Sequence, residues 1–167
     1  MSLSYKYVTS PVGRLKLVAS NRGLVAVLWE NDSPRRVRLD DVVEEPLHPA
    51  LMRTENELKE YFAGKRHTFS VPLDMRGTPF QKEVWEVLMG IPFGETCTYG
   101  DIAKRLGNPA ASRAVGGANR RNPISIIVPC HRVVGAAGNL IGFAGGLEAK
   151  TYLLSLEATN HEKSESR

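Results

Sequence analysis

Apolar positions alternate with a period of two at Leu15, Leu17 and Ala19 and resume in the run Leu24 to Trp29, with Asn21-Arg22-Gly23 between them. A period of two puts successive side chains on opposite faces of a strand, and the intervening turn residues close the pair into a hairpin. Leu47, Leu51, Leu58, Tyr61 and Phe62 follow helical spacing, and Gly64 stops that helix. Phe69, Val71 and Leu73 alternate again as a short strand. Residues 1–75 therefore read as a small α/β unit whose pattern carries no chemistry of its own.

The second half changes period. Thr78-Pro79-Phe80-Gln81 has the form of a capping box, and Phe80, Val84, Val87 and Leu88 supply the apolar stripe of the helix behind it, with Trp85 in its core. Thr98-Tyr99-Gly100-Asp101 repeats the cap before a second helix, with Ile102, Ala103 and Leu106 inward and Gly107 at its end. Asn108 and Pro109 then start a third helix as cap and first residue, which makes a helix-turn-helix candidate. The run Ile124 to Val128 reads as a buried strand and residues 135–146 as a glycine-rich loop. A last helix turns Ala149, Tyr152, Leu153 and Leu156 inward and ends at Glu157. The domain division is thus 1–75, 76–157 and a polar, flexible tail at 158–167.

At 167 residues, 42% hydrophobic and 24% charged, the chain has the composition of a soluble globular protein. No apolar stretch approaches the roughly 20 residues of a membrane span, and no basic-then-apolar leader is visible. A cytoplasmic location with no membrane partner is expected. Cys97 and Cys130 have neither the number nor the spacing of a disulfide framework or a zinc site, so no metal or cofactor is expected. The net charge of +4 is modest, yet no acidic residue lies between Asp101 and Glu148, while Lys104, Arg105, Arg113, Arg120, Arg121 and Arg132 all do. Such a one-sign field draws a polyanion, although a solvated basic face also accounts for it. In the same interval Ala110, Ala111, Ala114, Gly116, Gly117 and Ala118 leave the third helix nearly bare of bulk. Small residues let a helix backbone approach the minor groove, with Arg113 as wedge or phosphate ligand; they equally permit close helix packing.

The candidate chemistry sits in Val128-Pro129-Cys130-His131-Arg132-Val133-Val134-Gly135. Thiolate is the attacking species, and a free cysteine is mostly protonated at neutral pH unless a histidine or cation lowers its pKa; His131 and Arg132 are such candidates. Adjacent residues of a strand face opposite ways, so the chain must turn at Pro129 if His131 is to serve Cys130.

These residues resemble those of the O6-alkylguanine-DNA alkyltransferases. The likeness runs from Gly77-Thr78-Pro79-Phe80 through Arg113-Ala114-Val115-Gly116-Gly117-Ala118-Asn119, Asn122-Pro123 and the Cys130 motif to Gly145-Gly146, Leu153-Leu154 and Glu157. It is looser in the first half, at Thr9-Ser10-Pro11-Val12-Gly13 and Tyr61-Phe62-Ala63-Gly64. The resemblance implies an N-terminal ribonuclease-H-like α/β domain followed by a winged-helix-like helix-turn-helix domain. It implies single-turnover transfer of an alkyl group from O6-alkylguanine, and from O4-alkylthymine, to Cys130. His131 would relay the thiol proton through water, Glu157 would orient the imidazole, Asn122 would be the hinge behind the helix-turn-helix, and Tyr99 would protonate the leaving guanine. Contacts to double-stranded DNA, through its minor groove, would come from Arg113, Ala111, Gly116, Gly117, Asn119 and Arg120. Tyr99, Val133, Phe143 and Ala144 would line the base pocket. The working species would be a monomer.

Three positions depart from some relatives: Phe143 stands where certain members have tyrosine, Ala136 where some have serine, and the first half lacks the cysteine of a structural zinc site, which leaves His48 and His67 as surface residues. Two other classes compete, a helix-turn-helix regulator and a thiol hydrolase or redox sensor, together with the related lesion-binding proteins that have tryptophan in place of the nucleophile. The first leaves Cys130-His131 unexplained, the second the basic interval, and Cys130 itself argues against the third.

Overall fold

The chain begins as a meander of β1 (Leu3–Ser10), β2 (Gly13–Ala19) and β3 (Leu24–Leu28), in a computed structural model that describes residues 2–140 and 142–165, the stretch 162–165 by its backbone alone. A short β4 (Val42–Glu44) returns parallel to β1, giving the order β3-β2-β1-β4. The expected hairpin is β2–β3. β1 was not visible in the pattern because its outer face is Tyr5 and Tyr7, covered by Lys16 and Arg14 stacked on their rings. The helix α1 (Pro49–Phe62) lies on the sheet with Leu51, Leu58 and Tyr61 buried. It starts later than its spacing suggests: His48 caps it, its Nδ1 accepting from the Ala50 N–H at 3.2 Å, and Leu47 is left 77% exposed. His67 is half-buried and stacks on Phe93 at 3.9 Å.

The expected strand at Phe69–Leu73 is only an isolated bridge from Leu73 to Leu24. The Glu57 carboxylate takes the N–H groups of Ser70 and Val71, and Pro72 has none to give, so no ladder can form.

Both capping boxes are present, at Thr78 with Gln81 for α2 (Pro79–Met89) and at Thr98 with Asp101 for α3 (Tyr99–Arg105). The next turn differs from expectation. Gly107, at φ +76°, closes α3 in a Schellman motif: the Asn108 N–H reaches the Ala103 carbonyl and the Gly107 N–H that of Lys104, each at 3.0 Å. The Asn108 backbone N–H thus closes α3 while its side chain makes no cap hydrogen bond; a 3-10 turn over Pro109–Ala111 leads into α4 (Ser112–Arg120).

The expected strand at Ile124–Val128 is a knot of turns instead. Ile126 sits at φ +74° with the Ile127 N–H on the Ser125 carbonyl at 2.9 Å, a γ-turn of the strained hand. Pro129, at φ −80° and ψ 63°, centres a second γ-turn of the inverse kind, with the Cys130 N–H on the Val128 carbonyl at 2.8 Å. Residues 122–134 are buried throughout. β6 (Val133–Val134) then pairs in parallel with β5 (Cys97–Thr98).

The last helix, α5, spans Leu147–Glu165, so it does not stop at Glu157 and most of the expected tail is helical; residues 166 and 167 lie outside the described residues. Its inward side carries Ala149, Lys150, Leu153 and Glu157, whereas Tyr152 is 39% exposed. One buried cluster runs through both halves, from Leu15 and Leu51 to Val115 and Leu153. None of the described helices is long and apolar enough to cross a membrane.

Candidate active site

A 3-10 turn over Cys130–Arg132, closed by the Arg132 N–H on the Pro129 carbonyl at 3.0 Å, is the bend that the Cys-His pair requires. It places three consecutive chemical groups in the interior: Cys130 is 4% exposed, His131 0% and Arg132 6%. Asn122 holds the turn from behind. Its Nδ2 donates to the Val128 carbonyl at 2.8 Å and its Oδ1 accepts from the Ile124 N–H at 3.0 Å, so both ends of its buried amide are used.

Glu157 is where the network converges. Its Oε2 meets His131 Nε2 at 2.7 Å, accepts from the Tyr61 hydroxyl at 2.6 Å and from Arg132 Nη2 at 3.0 Å; its Oε1 accepts from Arg132 Nε at 2.8 Å and from the Gly94 N–H at 3.4 Å. Burial pushes its carboxyl upward, but the hydrogen bonds from His131 and Arg132 and the charge of Arg132 win and hold it well below the usual carboxylate range. Arg132 is therefore not part of the basic face, nor does it attend the thiol: its remaining Nη1 donates to the Ile91 carbonyl at 2.6 Å.

Opposite a carboxylate held anionic, Nε2 of His131 carries the proton and Nδ1 is left as the acceptor. Nδ1 is buried and has no hydrogen-bond partner among the described residues. Burial lowers the imidazole pKa more than Glu157 raises it, so the ring rests neutral. The thiol of Cys130 is pushed up by burial, against smaller lowering effects from Asn122, Arg36 and Lys150. The cations expected to activate it are thus not those that face it, and its resting form is the protonated thiol.

Both buried groups, His131 and Glu157, make the fold acid-sensitive. A neutral histidine whose folded pKa is depressed loses stability once the pH falls below its unfolded value of 6.5, and a carboxylate with a depressed pKa adds its own loss below its unfolded value of 4.5. Urea unfolding at pH 8, 6, 5 and 4 is expected to show stability falling from pH 6.5 downward and more steeply below 4.5; a flat profile to pH 4 would contradict this assignment.

Around this centre the other expected residues fall into two groups. Tyr99, half-buried at the start of α3, has its hydroxyl pKa raised by burial with Asn119 and Arg120 pulling it back, and lies close enough for a Cys130 thiolate to raise it further. The Gly116 backbone lies beside Tyr99, where an added Cβ would make an ordinary van der Waals contact with the ring at 3.9 Å. Val133 is buried, and its carbonyl accepts from Lys150 Nζ at 2.6 Å. Phe143 and Ala144 are half-buried, the Phe143 ring meeting Trp29 edge-on at 5.4 Å. The loop here fits only because residue 145 is glycine: a Cβ would sit 2.6 Å from the Trp29 ring. On α4, Arg113 and Arg120 are exposed, Gly117 borders open space, and Ala111, just before the helix, is half-buried.

Sequence reasoning missed Tyr61 and Lys150. Tyr61 shows in the sequence as one position of a helical spacing, yet a buried tyrosine needs a partner for its hydroxyl. Lys150 lies three residues before Leu153 and seven before Glu157, a spacing that already puts it on the inner face of α5.

A buried thiol followed in the chain by a buried imidazole–carboxylate pair, in the same half as a basic helix-turn-helix, points to the class of DNA-binding proteins that carry a nucleophile. Comparison with known proteins narrows the class. The ribonuclease-like domain of 6-O-methylguanine DNA methyltransferase matches residues 3–75 and its DNA binding domain matches residues 79–159. The methylated-DNA–protein-cysteine methyltransferase of Methanosarcina mazei is 48% identical over 156 residues, covering 93% of this chain and 98% of that one. The crystal structure of Mycobacterium tuberculosis OGT in complex with DNA is 43% identical with a TM-score of 0.87, covering 94% of each chain. That of the M. tuberculosis O6-methylguanine methyltransferase is 44% identical with a TM-score of 0.83, covering 95% of this chain and 94% of the other. The chain belongs to the 6-O-methylguanine DNA methyltransferase family.

Proposed function

We propose that Cys130 is the alkyl acceptor and that the protein repairs O6-alkylguanine, and O4-alkylthymine, in duplex DNA by one irreversible transfer per molecule. The observation that carries this reading is the buried Cys130–His131–Glu157 set with an imidazole acceptor left free at Nδ1. The thiol proton passes to Nδ1 through a water, while Glu157 stabilises the imidazolium that forms. Sulfur then bonds to the alkyl carbon as the carbon–O6 bond breaks, and its electron pair leaves with the guanine. Tyr99 supplies that base with a proton and regains one from solvent, to which His131 releases the proton it took from the thiol, so thiol and alkylguanine become thioether and guanine. A thioether offers no bond that water readily cleaves, hence the stoichiometry.

The lesion in a paired duplex must first be swung out, at a cost of a few kcal/mol. The exposed Arg113, on a helix whose neighbouring Gly117 borders open space, suits insertion from the minor groove into the vacated stack. Val133, Phe143 and Ala144 would then enclose the base. The free thiols Cys97 and Cys130 suit a reducing cytoplasm, and the protein would meet the nucleoid as a monomer.

Duplex DNA carrying a labelled methyl on guanine O6 tests the assignment: the label is expected on Cys130, in a burst no larger than the amount of protein. Label staying on DNA, or turnover continuing past one equivalent, would overturn it. Arg113→Ala is expected to slow duplex repair about tenfold or more while leaving the reaction with free O6-benzylguanine nearly unchanged, because only the duplex needs the base extruded. Equal slowing of both substrates would remove the wedge role.

A further inference from the structure

Among the described residues of the first 75, Tyr61 places its hydroxyl on the hydrogen-bond network of Glu157. Tyr61 stands near the end of α1, fully buried, its ring set among Phe62, Phe69 and Phe93 at centroid distances of 5.3, 5.4 and 6.2 Å. That cage aims its hydroxyl across the domain boundary at Glu157 Oε2, 2.6 Å away and 96 residues on. The oxygen it meets is the one that holds His131 Nε2. Arg132, by contrast, forks across both oxygens and would keep the carboxylate in place by itself.

We propose that Tyr61 is a positioning residue of the proton relay, its hydroxyl sharing Glu157 Oε2 with His131 and so setting how firmly that oxygen grips the imidazole, which makes the N-terminal domain a working part of the transfer chemistry. The proposal rests on His131 being the base for Cys130. A donor on a carboxylate oxygen takes up part of its negative charge, which weakens the bond the same oxygen makes to a second donor. Without the Tyr61 hydroxyl, Oε2 would give more of its charge to the Nε2–H of His131. The imidazolium would become easier to form, and the ring would be lost as a base at a higher pH. Burial and the Glu157 charge raise the Tyr61 hydroxyl pKa well above its ordinary value, so it stays a donor wherever the protein is folded.

Other groups face the same pair. Arg132 comes from the turn, Lys150 and Tyr152 from α5, and His67 lies one ring away, stacked on Phe93. Tyr61→Phe leaves all of these in place and deletes one oxygen.

The test is the single-turnover transfer rate from methylated duplex, at saturating protein over DNA, from pH 5.5 to 9 for the parent protein and Tyr61→Phe. The acid limb of the profile is expected to move up by about half to one unit in the variant, a loss approaching about three- to tenfold at the acid end of the limb, with rates converging above pH 8. The Nε2–H proton of His131, observed by NMR in histidine-labelled protein, is expected to move downfield. Superimposable profiles, a shift the other way, or a fall in melting temperature with no change in the acid limb would overturn the proposal. Mass spectrometry of the parent protein separates this from failure of the underlying reading, because Cys130 would then remain unalkylated in the parent itself.

Discussion

Replacing Glu157 with alanine is expected to destabilise the protein by about 3–5 kcal/mol and to reduce transfer to background. The size follows from what the carboxylate satisfies. Arg132 is 6% exposed and gives two of its donors to Glu157; with the acid gone, its charge stays in the interior with the Ile91 carbonyl as its remaining hydrogen-bond partner. His131 and Tyr61 lose their acceptor at the same stroke. Glu157→Gln keeps the shape and one acceptor oxygen but not the charge, so it is expected to fold with a smaller loss and still transfer slowly. Urea unfolding of both variants checks this. A loss under about 1 kcal/mol for the alanine variant would show that the interior tolerates the bare guanidinium.

Replacing Cys130 with alanine is expected to abolish transfer altogether while leaving affinity for methylated duplex within about threefold of the parent. Here the effect is chemical. The bonds that hold the turn, from Asn122 to Val128 and from the Cys130 N–H to the Val128 carbonyl, involve no sulfur. Gel-shift titration beside the labelled-methyl assay separates binding from transfer. Residual label on the protein would point to a second acceptor, for which Cys97 is the other thiol in the chain.

Local signals in the sequence proved readable and distant ones did not. The two capping boxes and the glycine that ends α3 were legible because each is a conversation among neighbours a few residues apart. The Cys-His-Arg run and the need for a bend at Pro129 were legible for the same reason. The segment at 124–128 misled because five apolar or small residues look alike whether they extend or coil, and the positive φ of Ile126 leaves no mark in a hydrophobic pattern. At 69–73 a carboxylate on another element consumed the donors that a strand would have used. Asn108 suggested a cap, and a Schellman closure claimed it first. Glu157 emerged from family resemblance alone, and Tyr61 not at all, since nothing in a chain announces that positions 96 apart will meet.

Under the proposed stoichiometry of one transfer per molecule, each copy must avoid being wasted on anything else. The thiol of Cys130 rests protonated and shielded, so stray electrophiles in the surrounding solution meet an unreactive sulfur. The count of intact molecules is the whole repair capacity of the population, and the same closure that hides the sulfur preserves that reserve until damaged DNA draws on it.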